Sequence, residues 1–158
     1  MAPFVRQATG QQRVEASPDE RQVTDEVVRL DQANTQWLKH VVDRHGWPGH
    51  SLVGRNGAAA AWLLAQHADR DPSFQRRCLD LMTVMPTGEV EPQHIAYLTD
   101  RVLLAEGSPQ IYGTQLQQVD GVYQPCNQAD PESVDQRRAS VGLQPLAEYL
   151  RHFLDDYK

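Results

Sequence analysis

The chain has 158 residues, with 15 Lys and Arg against 21 Asp and Glu for a formal charge of −6, and it is 40% hydrophobic and 23% charged. That size and balance suit one soluble globular domain. Its longest apolar run, Ala58 to Ala65, covers eight positions, against the roughly 20 a membrane helix needs, which excludes a helical span; no cluster of Lys and Arg offers a phosphate-tracking surface, which argues against nucleic acid as a partner.

Residues 1–16 are polar and contain Thr9-Gly10-Gln11-Gln12, so they read as an N-terminal arm, with 17–158 as a single helical domain. The opening Met1-Ala-Pro-Phe-Val-Arg6 carries one positive charge and then turns polar where a signal peptide needs an apolar core, so the expected location is cytoplasmic. Ser17, Pro18, Asp19 and Glu20 form a helix start. The helix that follows carries Val23, Val27, Leu30, Asn34, Trp37, Leu38, Val41 and Val42 at three- and four-residue spacing, a stripe interrupted by one amide and stopped at Gly46 before Pro48. After the loop His45-Gly-Trp-Pro-Gly-His50, a second helix from about Arg55 to Ala68 is apolar nearly all round, the pattern of a central helix enclosed by others.

Asp71-Pro72 starts a third helix with Phe74, Cys78, Leu81, Met82 and Met85 on one face, closed at Thr87-Gly88. Pro92 opens a fourth, with Ile95, Leu98 and Val102 as its core stripe and Gly107 as its end. A glutamine-rich stretch from Gln110 follows, and Val119-Asp-Gly-Val122 signals a small β-hairpin. Asp130-Pro131 caps a short fifth helix closed by Gly142, and the last helix carries Leu146, Leu150, Phe153, Leu154 and Tyr157 on one face. The expected fold is mainly α, a compact bundle of about six helices with a small late β-hairpin.

Asp31, Asn34, Leu38, Gly46-Trp-Pro48, Val53-Gly54, Gln66-His-Ala-Asp69, Ala96-Tyr-Leu98, Asp100-Arg101, Gly107, Gln110, Tyr112-Gly-Thr-Gln115, Arg137-Arg138 and Val141-Gly142 together resemble a bacterial domain family of unknown function. The resemblance covers about Asp31 to Tyr149. It implies a list of positions, mostly polar and next to apolar stripes, as in a pocket within a helical domain.

His67 is the first candidate for chemistry. Following Ala60, Leu63 and Leu64 at helical spacing, its imidazole is expected to point into the domain as a general acid or base, or else as a core histidine satisfied by one carbonyl. Asp69 should point away, capping or pairing with Arg70. Arg101, Gln110, Tyr112 and Gln115 supply a guanidinium, a phenol and two amides able to hold a carboxylate or stabilise an enolate. Their bland alternative is an Asp100-Arg101 pair stitching a loop to the bundle and glutamines satisfying hairpin backbone. Trp47 binds a ligand or anchors its loop, and Asn34 and Asp31 either face the same pocket or make an interhelical bond and a solvated acid.

No HExxH, CxxC, GxSxG, GxGxxG or phosphate loop is present, so neither a metal nor another cofactor is expected. Cys78 reads as a small core hydrophobe and Cys126 as a second reduced thiol. What remains is an acid–base enzyme of lyase or cyclase type, performing dehydration, conjugate addition or ring closure on a small organic substrate, polyketide-like if Trp37, Trp47, Trp62 and Met82 line the pocket. In that reading His67 moves the proton, Tyr112 or Arg101 stabilises negative charge, and Asn34, Gln110 and Gln115 orient the substrate, all meeting in one pocket between the second helix and the hairpin. A non-catalytic module binding a small ligand or protein, and a metal-free hydrolase using His67 as base for water, are the alternatives.

Overall fold

A computed structural model describes residues 6–7 and 18–155, and the chain divides into two compact units, one of Gly10–Val90 and the other of Glu91–Lys158 together with Met1–Thr9. The described residues form β1 (Arg6–Gln7), α1 (Pro18–His45), α2 (His50–Gln66), α3 (Pro72–Thr83), α4 (Pro92–Ala105), β2 (Leu116–Val119), β3 (Val122–Pro125), α5 (Val134–Ser140) and α6 (Leu146–Asp155). This is the mainly helical chain with a late hairpin that the periodicities imply. Among the described residues no helix is long and apolar enough to cross a membrane. The Ser17 cap and the Tyr157 position of the last stripe lie outside the described residues.

In the first unit α1 packs against α2, and α2 against α3. α1 stops where Gly46 takes φ 71, a conformation glycine adopts without a Cβ penalty. Its inward face is Thr35, Leu38 and Val42, all from the C-terminal half. The stripe read from spacing therefore does not go inward as a whole: Val23, Val27, Leu30 and Trp37 are exposed. The physical reason is length, since 28 residues of α1 face a 17-residue α2, and at about 1.5 Å per residue the shorter helix cannot cover the longer.

Trp47, Pro48 and Gly49 are buried, and the loop is clamped from the far end of the unit. His50 N–H donates to the Glu89 carbonyl at 3.0 Å, and the Ser51 N–H and hydroxyl both donate to Glu89 Oε2 at 3.0 Å. Those Ser51 bonds hold the Glu89 carboxyl below its ordinary range. A Cβ on Gly49 would collide with Glu89 and Met85, so close approach accounts for this glycine. α2 begins one turn before the expected Arg55 start and kinks at Gly54 (φ 71, ψ 170). It is not enclosed all round: Ala58, Ala61, Trp62, Ala65 and Gln66 are buried, while Ala60 and Leu63 are exposed, because its unit supplies cover on one side only.

α3 opens as its sequence implies. Asp71 accepts the Phe74 N–H at 3.0 Å and the Ser73 hydroxyl at 2.7 Å, and its other oxygen pairs with Lys39. Phe74, Cys78, Leu79 and Met82 are buried, and Leu81 and Met85 are half-buried. Buried Gln75 reaches back to donate to the Ala65 and Gln66 carbonyls, both at 3.1 Å, closing the end of α2 that backbone geometry leaves open. The Lys39 and Ser73 hydrogen bonds lower the Asp71 carboxyl. Its stabilisation is therefore complete above the unfolded-state value near 4 and is lost as pH falls through the lowered folded value. Asp71→Ala is expected to cost about 1 kcal/mol at pH 7, mostly the cap, since the Lys39 pair is only half-buried and solvent still screens it. Thermal melts at pH 7 and pH 3 check this, with the gap between wild type and variant narrowing in acid.

In the second unit β1 runs parallel to β2, pairing Arg6 with Gln117 and Gln7 with Gln118, while β2 and β3 pair antiparallel from Leu116 opposite Pro125 to Val119 opposite Val122. The N-terminal arm thus contributes a strand at residues 6–7. The hairpin turns through Asp120 (φ 50) and Gly121 (φ 79), the two left-handed positions of a type I′ turn. α4 buries Ala96, Leu98, Asp100 and Val102, with Ile95 half-buried. Asp130 does not cap a helix: it sits at φ 37 without a side-chain cap bond, a 3-10 turn intervenes at Pro131–Ser133, and α5 starts at Val134. α6 packs on β3 through the Phe153 ring, 5.6 Å from Tyr123 and 5.1 Å from Tyr149 between centroids.

Candidate functional site

The first unit holds a cleft of about 280 Å³ between α1 and the turn joining α2 to α3, lined by Asp31, Thr35, Gln36, His67, Asp69, Arg70 and Asp71 among others. That is close to the lower end of volumes usual for small-ligand pockets, about 300 Å³. α1 presents Asp31 beside buried Thr35, whose hydroxyl donates to the Asp31 carbonyl at 2.7 Å. The turn presents His67. α2 ends at Gln66, so His67 is its C-cap residue, with its N–H donating to the Leu63 carbonyl at 3.1 Å.

This corrects the expectation from helical spacing, since the His67 ring is exposed and reaches the cleft from the cap instead of pointing into the domain. Asp69 accepts from Gln75 Nε2 at 3.2 Å and so fastens the turn. Asp71 is taken by Lys39, Ser73 and the Phe74 amide. Asp31 and His67 differ from these neighbours: the side chains of both have no hydrogen bond or ion pair among the described residues. An imidazole and a carboxylate in one concave site, both available, can bind a polar ligand and exchange a proton with it.

The second unit gathers Gln110, Tyr112 and Gln115 around a different centre. Asp100 on α4 is 0% exposed and accepts the N–H groups of Ile111 (2.7 Å), Tyr112 (3.0 Å) and Thr114 (2.9 Å) and the Thr114 hydroxyl (2.9 Å). Burial pushes its carboxyl above the usual range, with those four donors pulling the other way. From the opposite side Arg138, also 0% exposed, donates to the carbonyls of Tyr112 (2.7 Å) and Gln144 (2.6 Å) and lies 4.9 Å over the Tyr149 ring. Tyr149 hydroxyl donates to the Thr114 carbonyl at 3.1 Å. Arg137 donates to the carbonyls of Ile111, Ala129 and Asp130 at 2.7–2.8 Å. Gly113 (φ 66) has no room for a Cβ, which would stand 2.7 Å from Gln128 Oε1.

Gln110 spends its whole amide on backbone, donating to the Gln115 (2.8 Å) and Cys126 carbonyls and accepting the Gln115 N–H at 2.9 Å. Gln115 Nε2 donates to Thr114 Oγ1 at 3.1 Å, and its buried Oε1 has no partner among the described residues. The Tyr112 phenol is half-buried, and burial, then the Asp100 charge, raise it above its ordinary range. Arg101 is half-buried on α4. These four belong to the unit of α4–α6 and His67 to the other.

Asn34 is exposed and is not among the residues lining the cleft. Trp47 is 4% exposed, in the core, where it anchors its loop. Trp62 and Met82 are core residues as well, while Trp37 lies on the outside, so these four do not form one pocket wall. Among the described residues no group of three or more His, Cys, Asp or Glu is placed to hold a metal ion. Both thiols are buried, and burial pushes Cys78 up to about 12, which leaves it unreactive near neutrality. The loop-stitching alternative for Asp100 is the one its contacts match, through backbone amides in place of an Arg101 pair, whereas spacing carries no sign of the buried roles of Arg138 and Gln75. The signal for Asp100 is an acid one helical turn after Ala96, on a buried face, followed by a Gly-Thr loop whose amides need acceptors.

Together, fold and site define a mainly helical two-unit protein, with an open polar cleft on one unit and a loop scaffolded by buried charges in the other. The chain belongs to the family of unknown function DUF6624, whose model matches residues 3–158. No curated protein and no solved structure gives a significant match.

Proposed function

We propose that this protein is an acid–base enzyme of the lyase type acting on a small organic substrate in the cleft, with His67 as the proton-transfer group. The observation that carries the reading is that His67 and Asp31, both without a side-chain partner among the described residues, line the same cleft. Asp31 would hold a cationic or hydrogen-bond-donating part of the substrate, and Arg70, at the same wall, would stabilise negative charge that develops when His67 removes a proton. Asp100, Gln110 and Arg138 receive no step, because each is committed to backbone groups.

His67→Ala is expected to shift the melting midpoint by less than about 2 °C, as for an exposed side chain. The same change should cost about 10²-fold to 10⁴-fold in turnover. A panel of small amines, amino acids and hydroxy acids, screened by the ¹H–¹³C shifts of the His67 ring and then for turnover, supplies the substrate. A large fall in melting temperature with unchanged activity per folded molecule would remove His67 from the site. The second reading, a ligand-binding module without catalysis, is favoured by one observation: the polar residues around Asp100 are accounted for by loop scaffolding alone. It predicts that His67→Gln retains the ligand and that no member of the panel is turned over.

A further inference from the structure

The outer stripe of α1 follows a strict alternation of four- and three-residue steps through exposed Val23, Val27, Leu30, Asn34 and Trp37 to half-buried Val41, the spacing of a coiled-coil seam with Val27, Asn34 and Val41 at a and Val23, Leu30 and Trp37 at d. Val23 is 62%, Val27 50%, Leu30 56% and Trp37 60% exposed. The residues α1 buries in its own unit, Thr35, Leu38 and Val42, form a neighbouring stripe, so packing among the described residues leaves Val23, Val27, Leu30 and Trp37 of the seam exposed. The N-terminal half of α1 has little tertiary support, its residues from Gln22 to Leu30 being exposed apart from half-buried Val28, and an isolated helix of such length is marginal in water.

We propose that α1 of a second copy of this chain covers the seam, antiparallel, in a two-fold dimer. Charge selects both partner and direction. From Pro18 to Asp31 the helix carries five carboxylates against two arginines, whereas from Gln32 to His45 it carries Lys39 and Arg44 against Asp43, with His40 and His45 in addition. Antiparallel pairing lays the acidic half on the partner's basic half and opposes the helix dipoles; parallel pairing sets acid on acid. In the antiparallel register Val27 meets Trp37 of the partner subunit, a small residue against a large one, Val23 meets Val41 of the partner subunit, and Leu30 meets Asn34 of the partner subunit. Glu26 then flanks His40 of the partner subunit.

The unsupported half of each helix is thereby laid along the supported half of its partner. Area agrees. Val23, Val27, Leu30 and Trp37 leave on the order of 400 Å² of side chain exposed per copy, within the size of patches that mark interaction sites, and with the flanking side chains on both edges the pair approaches the roughly 800 Å² per partner of a stable interface.

Sedimentation equilibrium of the full chain, with a helical circular-dichroism signal as the fold control, tests the proposal. A dimer at micromolar concentration is expected, weakened about 30-fold or more by Leu30→Glu and by Val27→Glu. The melting of residues buried in the first unit should be retained in both variants. Direction is read by cross-linking, since the native thiols are buried: Ala33→Cys should form an oxidised dimer and Asn34→Cys should not, because the g positions approach one another near the antiparallel axis, whereas a positions stack only in a parallel pair. A monomer at 100 micromolar, a dimer indifferent to both glutamates, or cross-linking through Asn34→Cys with Ala33→Cys silent would each overturn it.

Discussion

Replacing Asp100 by alanine is expected to lower the melting midpoint by about 8–16 °C. The carboxylate is 0% exposed, and its loss strands three backbone N–H groups and the Thr114 hydroxyl inside the protein. An orphaned buried donor costs about 1–3 kcal/mol, so even with water entering the gap the total comes to about 4 kcal/mol. Such a loss is a large part of the stability of an ordinary domain, about 5–15 kcal/mol. Asp100→Asn keeps the shape but turns one NH₂ toward donors, and it should recover only part of the loss. Amide exchange at Ile111, Tyr112 and Thr114 reads the effect directly: these three should lose protection in the alanine variant while the helical amides of α1–α3 keep theirs.

Acid acts on Asp100 in the opposite sense to Asp71. Because burial raises the Asp100 carboxyl, the contribution of this group is fully present below its unfolded-state value near 4 and declines as pH rises through the folded value. Mild acid therefore leaves the loop anchored, whereas the alanine variant releases it at any pH. An Asp100→Ala protein that melts within about 2 °C of wild type would show that the loop is held without its acceptor.

Arg138→Met is expected to cost about 3 kcal/mol, from two carbonyls left without donors and the lost stacking on Tyr149, with the methionine filling much of the space of the stem. Arg138→Lys should rescue little of this. A lysine ammonium cannot reproduce the planar fork that reaches the Tyr112 and Gln144 carbonyls from Nη1 and Nε. Asp100 and Arg138 hold the two sides of the same residue, the Tyr112 N–H and the Tyr112 carbonyl. Once either is gone the loop is already released, so the double variant should fall short of the sum of the two losses by about 1 kcal/mol or more in urea or thermal melts. Full additivity would show that the two charges act on independent structures.

Local chemistry determines much of this fold, and that part is legible along the chain. Pro72 and Pro92 at helix starts, Gly46 at a helix end and the Asp120-Gly121 turn fall where the structure has them, because caps, fixed proline φ and left-handed glycine depend only on neighbouring residues. The Asp71 cap and the Cys78 core position were equally readable, for the same reason. Burial is different, since it depends on what stands across from a side chain. Nothing local distinguishes the outward Val23, Val27, Leu30 and Trp37 from the inward Leu38 and Val42 on one helix; the limited reach of α2 does.

The candidate site shows the same division. His67 was visible as a histidine beside an apolar stripe, yet the end of α2 at Gln66 turns it outward into the cleft. Asp31, distant in sequence, becomes its companion only when α1 and the α2–α3 turn are brought together. Gln110 looks like a binding group in a polar string, yet it and Asp100 serve backbone, the structural alternative for both, because a loop buried against α4 must find acceptors and donors for its amides. Residue type and spacing thus determined helix ends, turns and the supply of polar groups, while tertiary packing decided which of those groups face a ligand and which are consumed within the fold, since that depends on contacts between segments far apart in the chain.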